Sequence, residues 1–252
     1  SACVHEDLYR VLRLSYPTKI FGKTNSELDE NGQPYWVTPV YEKQVGPVRG
    51  PEVIGTVVLN ACTGEHHYYD VSETPEWVDN VYPNDLIRKQ FNNYSRLQSG
   101  WWNSKTDELF VTQLTPSTSI EREKGENSSV YSHYSGETVV NYKGVLWYYS
   151  GETSTSNDES NSGYILTNKR TKETLRFSFD KAIAEEYTAI EAVEKELNEK
   201  GYYGTFPTVI DIDGIPTYFF QLKDSSGLLL KRFALVSMEQ HTAYAVDKNL
   251  GR

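Results

Sequence analysis

Cys62, Glu65, His66 and His67 place a thiol, a carboxylate and two imidazoles within six residues. A thiolate beside an imidazole is a potential nucleophile, but that chemistry needs a third group to orient the base and donors for an oxyanion. The surrounding sequence supplies neither. Neighbours on a strand point to opposite faces, so His66 and His67 cannot bind one metal together. Glu65 and His67 share a face and form one candidate binding pair, with no metal assigned to it. Trp101 and Trp102 form the other candidate: adjacent Trp residues at a helix end are hard to bury together, and exposed aromatics mark recognition surfaces. Asp211-Ile212-Asp213-Gly214 has the opening of a calcium loop but lacks its later ligands, so it reads as a hairpin turn. Gly-x-Ser-x-Gly, His-Glu-x-x-His, the P-loop and the dinucleotide glycine pattern do not occur. No catalytic residue, cofactor or metal site is expected from these motifs.

The bulk properties narrow the function classes further. The chain has 252 residues and a net charge of −10, with 25 basic against 35 acidic side chains. Nucleic-acid binding rests on neutralising phosphates with Lys and Arg, so this balance argues against it. No run of basic residues forms a membrane-attracting patch, and no apolar stretch approaches the ~20 residues of a spanning helix. The chain carries 19 Tyr, a residue suited to sheets with one wet face and to binding surfaces. The two cysteines, Cys3 and Cys62, permit one disulfide whose geometry sequence cannot test.

The elements that position these residues follow from period and punctuation. Val4, Leu8, Val11 and Leu12 predict a helix over 4–14, Asn84 caps a helix running to about Gln98, and Ile183, Tyr187, Ile190, Val193 and Leu197 predict one over 182–200. Strands are expected at 34–43, 53–60, 66–71, 108–114, 139–150, 163–168, 174–179, 206–212, 217–223, 228–238 and 241–246. Residues 117–135 and 151–162 read as polar loop. One stretch is written twice at a constant offset: Asp29, Gly32 and Pro34 recur as Asp211, Gly214 and Pro216. Asn31-Gly32 and Asp213-Gly214 then predict type I′ hairpin turns. The expected fold class is α+β, with antiparallel sheets each covered by a helix. Two related α-β-β-β-type units, 1–74 and 181–252, stand around a connector helix and β-rich middle segment, 75–180.

Helix, hairpin, then an apolar strand running into Thr63-Gly64-Glu65-His66-His67-Tyr68-Tyr69 resembles a PepSY-type module. The Ala182–Asp247 stretch is similar more loosely, and Lys169-Arg170-Thr171-Lys172-Glu173 echoes the same turn. With Tyr35-Trp36-Val37-Thr38-Pro39-Val40 and Pro75-Glu76-Trp77-Val78-Asp79, the whole resembles the extracytoplasmic region of a group of bacterial membrane-associated proteins. The resemblance implies a non-enzymatic interaction or sensory role in the cell envelope, with a protein or envelope component as partner and no nucleic acid. It implies membrane attachment only through segments or a lipid anchor outside these residues. The alternatives are an inhibitor of an extracytoplasmic peptidase, acting through an edge strand, and an envelope hydrolase with a dispersed active site.

Overall fold

Helix α1 (Val4–Ser15) forms because its apolar residues recur at helical spacing. Leu8 and Leu12 are fully buried against Val40, Val57 and Leu59 of the strands that follow, worth roughly 1.5 to 3 kcal/mol for each leucine. The computed structural model describes residues 4–43, 50–98, 111–123, 129–154, 160–197, 203–223, 230–238 and 243–247. The strands beneath α1 are β1 (Ile20–Phe21), β2 (Asn25–Leu28), β3 (Pro34–Lys43), β4 (Pro51–Asn60) and β5 (His66–Asp70). Their order is β1-β3-β4-β5, with β2 also on β3. Strand β2 pairs with the start of β3 and β1 with its end. Pro39 falls in the gap between those two pairings and beside a bulge at Val40/Tyr41, where its missing N–H costs no ladder bond.

Helix α2 (Asn84–Gln98) follows, then β6 (Thr112–Leu114), β7 (Thr118–Glu123), β8 (Ser129–Tyr134), β9 (Thr138–Tyr142), β10 (Val145–Ser154), β11 (Ser160–Asn168) and β12 (Thr174–Ala184). The order is β12-β11-β10-β6, with β9 also on β10; β7 and β8 pair as a separate hairpin. Three expectations need correction here. Within 117–135, expected as polar loop, Thr118–Glu123 and Ser129–Tyr134 are paired strands, with 124–128 outside the described residues. The single strand expected over 139–150 is split by a turn at Lys143-Gly144. The loop expected over 151–162 is occupied at both ends by β10 and β11, with 155–159 outside the described residues.

Helix α3 (Glu186–Leu197) starts four residues later than its periodicity predicts, because β12 continues through Ala184. Ile183, expected on the helix, instead lies on β12, partly buried against the core that α3 covers. Strands β13 (Tyr203–Gly204), β14 (Thr208–Ile212), β15 (Ile215–Lys223), β16 (Leu230–Ser237) and β17 (Ala243–Asp247) complete the chain. Their order is β13-β15-β16-β17, with β14 also on β15. Ala189, Ile190 and Val193 of α3 pack on Tyr218, Phe220, Leu222, Ala234 and Val236.

The fold class is thus α+β with antiparallel sheets. All three five-stranded sheets share one plan: a long central strand takes two short strands end to end on one side and a long partner on the other. Backbone bonds repeat with it. Ala61 donates to the Pro34 carbonyl (3.0 Å), Lys169 to Leu146 (2.9 Å) and Met238 to Pro216 (3.2 Å). Gly22 donates to Pro39 (2.8 Å), Thr115 to Gly151 (3.0 Å) and Thr205 to Gln221 (2.9 Å). In each sheet the two accepting carbonyls are five residues apart on the central strand.

The turns entering those central strands are of two kinds. Lys143 and Gly144 have φ of 53° and 80°, and Asp213 and Gly214 have 53° and 83°, so both are type I′ turns. Gly144 N–H donates to the Asn141 side chain (3.1 Å) and Gly214 N–H to Asp211 (2.8 Å). The turn at Gly32 differs from the type I′ expectation. Gly32 has φ 76° while Asn31 stays at negative φ. The carboxylate of Asp29 accepts from the N–H groups of Asn31 and Gln33, which stabilises a longer loop.

By backbone packing the chain divides into two compact units. One comprises Ser1–Tyr94, Asn141–Trp147 and Thr167–Glu173; the other comprises Ser95–Val140, Tyr148–Leu166 and Thr174–Arg252. Among the described residues no helix is long and apolar enough to cross a membrane.

Candidate functional site

Glu65 and His67 sit at the β4–β5 hairpin, both exposed. The turn is built by Asn60, whose side-chain carbonyl accepts from the N–H groups of Cys62 (2.8 Å) and Thr63 (3.0 Å). Glu65 closes it, donating its N–H to the Thr63 hydroxyl and giving its carbonyl to Asn60 N–H. Asn168, Arg170, Thr171 and Glu173 form the same turn bond for bond. There Arg170 donates to the carbonyls of Thr74, Pro75, Glu76 and Val78, fastening the segment that follows β5.

The two histidines part as strand alternation requires. His66 is bonded to Ser15 (3.1 Å) and Tyr16 (3.2 Å) at the end of α1, while His67 packs on Tyr69. Cys62 is exposed with a free thiol. Cys3, Trp101 and Trp102 lie outside the described residues. Among the described residues no group of three or more His, Cys, Asp or Glu side chains is arranged to hold a metal.

A different cluster collects the groups whose chemistry the fold changes most. Glu186, the first residue of α3, is completely buried. Its carboxyl accepts from the hydroxyls of Thr115 (3.1 Å) and Tyr149 (3.3 Å) and from the Asn161 side chain. Asn161 also donates to the Tyr218 hydroxyl at 2.9 Å. Thr115 follows β6, Tyr149 lies on β10, Asn161 on β11 and Tyr218 on β15. Room for the carboxyl comes from Gly151, where a side chain would collide with Glu186 Oε1.

Every hydrogen-bond partner of Glu186 is uncharged. Burial therefore pushes its carboxyl above the ordinary range, and the bonds from its own backbone N–H, Asn161, Thr115 and Tyr149 only partly offset that. Burial, and then the nearby Glu186, push both Tyr149 and Tyr218 well above the usual phenol range. One atom is left over: Asn161 Oδ1 is buried with no hydrogen-bond partner.

Glu152 shows the opposite arrangement. It is equally buried, but Arg176 grips it through Nε (2.7 Å) and Nη2, and the Thr112 hydroxyl adds a third donor. That is a compensated buried charge. Glu27, in the other unit, accepts the backbone N–H of Asp79 at 2.8 Å, and burial raises the affinity of its carboxyl for a proton.

What the Glu186 cluster can do is hold or release a proton inside the fold. It cannot serve a substrate directly, since Glu186, Tyr149, Asn161 and Tyr218 are all sealed from solvent. The sequence hides it. A Glu at the start of a Glu-rich helix reads as solvated, and nothing local shows that Gly151 makes space for it. Comparison with protein families, with curated proteins and with solved structures gives no match for this chain.

Proposed function

We propose that this chain is a non-enzymatic interaction or sensory region of a bacterial cell-envelope protein, built from PepSY-like units and working outside the cytoplasm. One observation carries the reading: the strand plan of the first sheet, its two backbone bonds on the central strand and its preceding helix all recur. They recur in the middle segment as well as at the end, so the proposed number of units is three rather than two. The Asn60–Glu65 turn, which bears the Thr-Gly-Glu element of the resemblance, recurs as Asn168–Glu173. Three related units in series provide surface and little else. The most chemically perturbed cluster is closed to substrate, which favours a binding or sensing role over hydrolysis.

The location is testable through Cys62, whose thiol is free and exposed. In intact bacteria making the full-length natural protein, with Cys3 replaced by Ser in a second strain, a membrane-impermeant maleimide is expected to label Cys62 without lysis. Labelling that appears only after lysis would overturn the extracytoplasmic reading. A Cys62→Ser control identifies the labelled site.

A further inference from the structure

Strand β12 ends its sheet, with β11 on one side and no strand on the other among the described residues. It is also unusually long. The strands in the equivalent place, β5 and β17, have five residues each, whereas β12 has 11. Thr174, Leu175, Arg176, Phe177 and Ser178 are exposed in succession, with Leu175 and Phe177 each 40% exposed. An exposed edge of this length is a template for another strand, and natural sheets usually blunt such edges with Pro, with charge or by keeping them short.

None of those devices operates over these residues. There is no proline. The one charge, Arg176, is 44% exposed and already paired with the buried Glu152 of its own sheet, which compensates it. The Phe177 carbonyl lies against Gly163 of β11, so strand alternation turns the backbone groups of Arg176 and Ser178 towards the open side. The apolar face is prepared as well: Phe177 stacks on Tyr164 at 4.8 Å and 14°, and Phe179 meets the same ring at 5.8 Å.

We propose that β12 is a self-association edge, pairing antiparallel with β12 of a second copy about a twofold axis through Phe177. The occupant follows from symmetry and charge. In that register Arg176 faces Ser178 of the other copy and Leu175 faces Phe179, so apolar meets apolar and no like charges stand opposite. The hydrogen-bonding positions, Arg176 and Ser178, meet each other. Two five-stranded sheets would become one continuous sheet. The inference does not depend on the cellular location proposed above.

Sedimentation velocity across a concentration series decides it. The wild-type chain is expected to shift from monomer to dimer as concentration rises. Ser178→Pro removes an outward N–H without touching the bonds to β11, and is expected to stay monomeric with an unchanged melting temperature. If that variant does not fold, Phe177→Glu keeps every N–H and places like charges at the twofold axis; it is expected to be monomeric too. A wild-type chain that is monomeric throughout, or a folded variant that dimerises as wild type does, overturns the proposal.

Discussion

At the scale of single residues, the contrast between Glu186 and Glu152 fixes how stability should respond to pH. Both carboxyls are buried, but only Glu152 has a guanidinium against it. Burial raises the pKa of Glu186 in the folded protein above the value of about 4.3 typical of a solvated Glu. The neutral acid is therefore the form that the fold favours. Its stabilising contribution is complete below the unfolded pKa and is lost as pH rises through the folded one. Glu186→Gln mimics the neutral acid and removes the titration, and its amide can donate to the unpartnered Asn161 Oδ1 once that amide turns. The variant should lose less stability than wild type between mildly acidic and alkaline pH, measured by urea unfolding at each pH. Parallel pH curves for the two proteins would show that Glu186 does not titrate in the folded state as argued. Glu27 and Asp79, whose carboxyls burial also raises, are present in both proteins, so below the phenol range, where Tyr149 and Tyr218 stay protonated, the difference between the curves isolates Glu186.

At the scale of elements, the two type I′ turns differ in how well their residues suit them. Position 143 is held at φ 53° by a lysine, and position 213 at the same φ by an aspartate. Asn and Asp tolerate this left-handed conformation better than Lys does. Lys143→Asn, which creates the preferred Asn-Gly pair, is expected to stabilise by roughly 0.5 kcal/mol. Gly214→Ala should destabilise by about 1 kcal/mol, because φ 83° suits only glycine. Both are read from the melting temperature, and a Gly214→Ala protein that melts at or above wild type would refute the turn assignment.

The same lysine explains an error of reading. Asp213-Gly214 is visible as a turn, whereas Asn141-Tyr142-Lys143-Gly144 looks like the interior of one strand. Helices α1 and α2, and the β4–β5 hairpin, were legible because their periodicity and turn residues agree with the final packing. The start of α3 was not, since residues 182–184 carry helical spacing but are captured by the edge of a sheet. The candidate site was least legible of all. It joins residues from three strands, a helix and the segment after β6, and its space is made by the absence of a side chain at Gly151.

At the scale of the whole molecule, the strand order of the sheets has a consequence in time rather than in space. The first sheet is drawn entirely from residues 20–70, and its neighbours pair mostly across short turns. The middle sheet is different: β6 finds its partner on β10, with Leu114 opposite Glu152 and the whole β7–β8 hairpin between them in sequence. Loop closure must be met before such a pairing returns any energy, so distant pairings form late. A chain emerging amino terminus first can close the first sheet once β5 is out, while β6 waits for β10. Pulsed hydrogen exchange during refolding should therefore protect the amides of Val57 and Val58 before those of Gln113 and Thr115, which face β10. If the β6 amides were protected first, the middle sheet would be the nucleus, and the order of assembly would run outward from the centre of the chain.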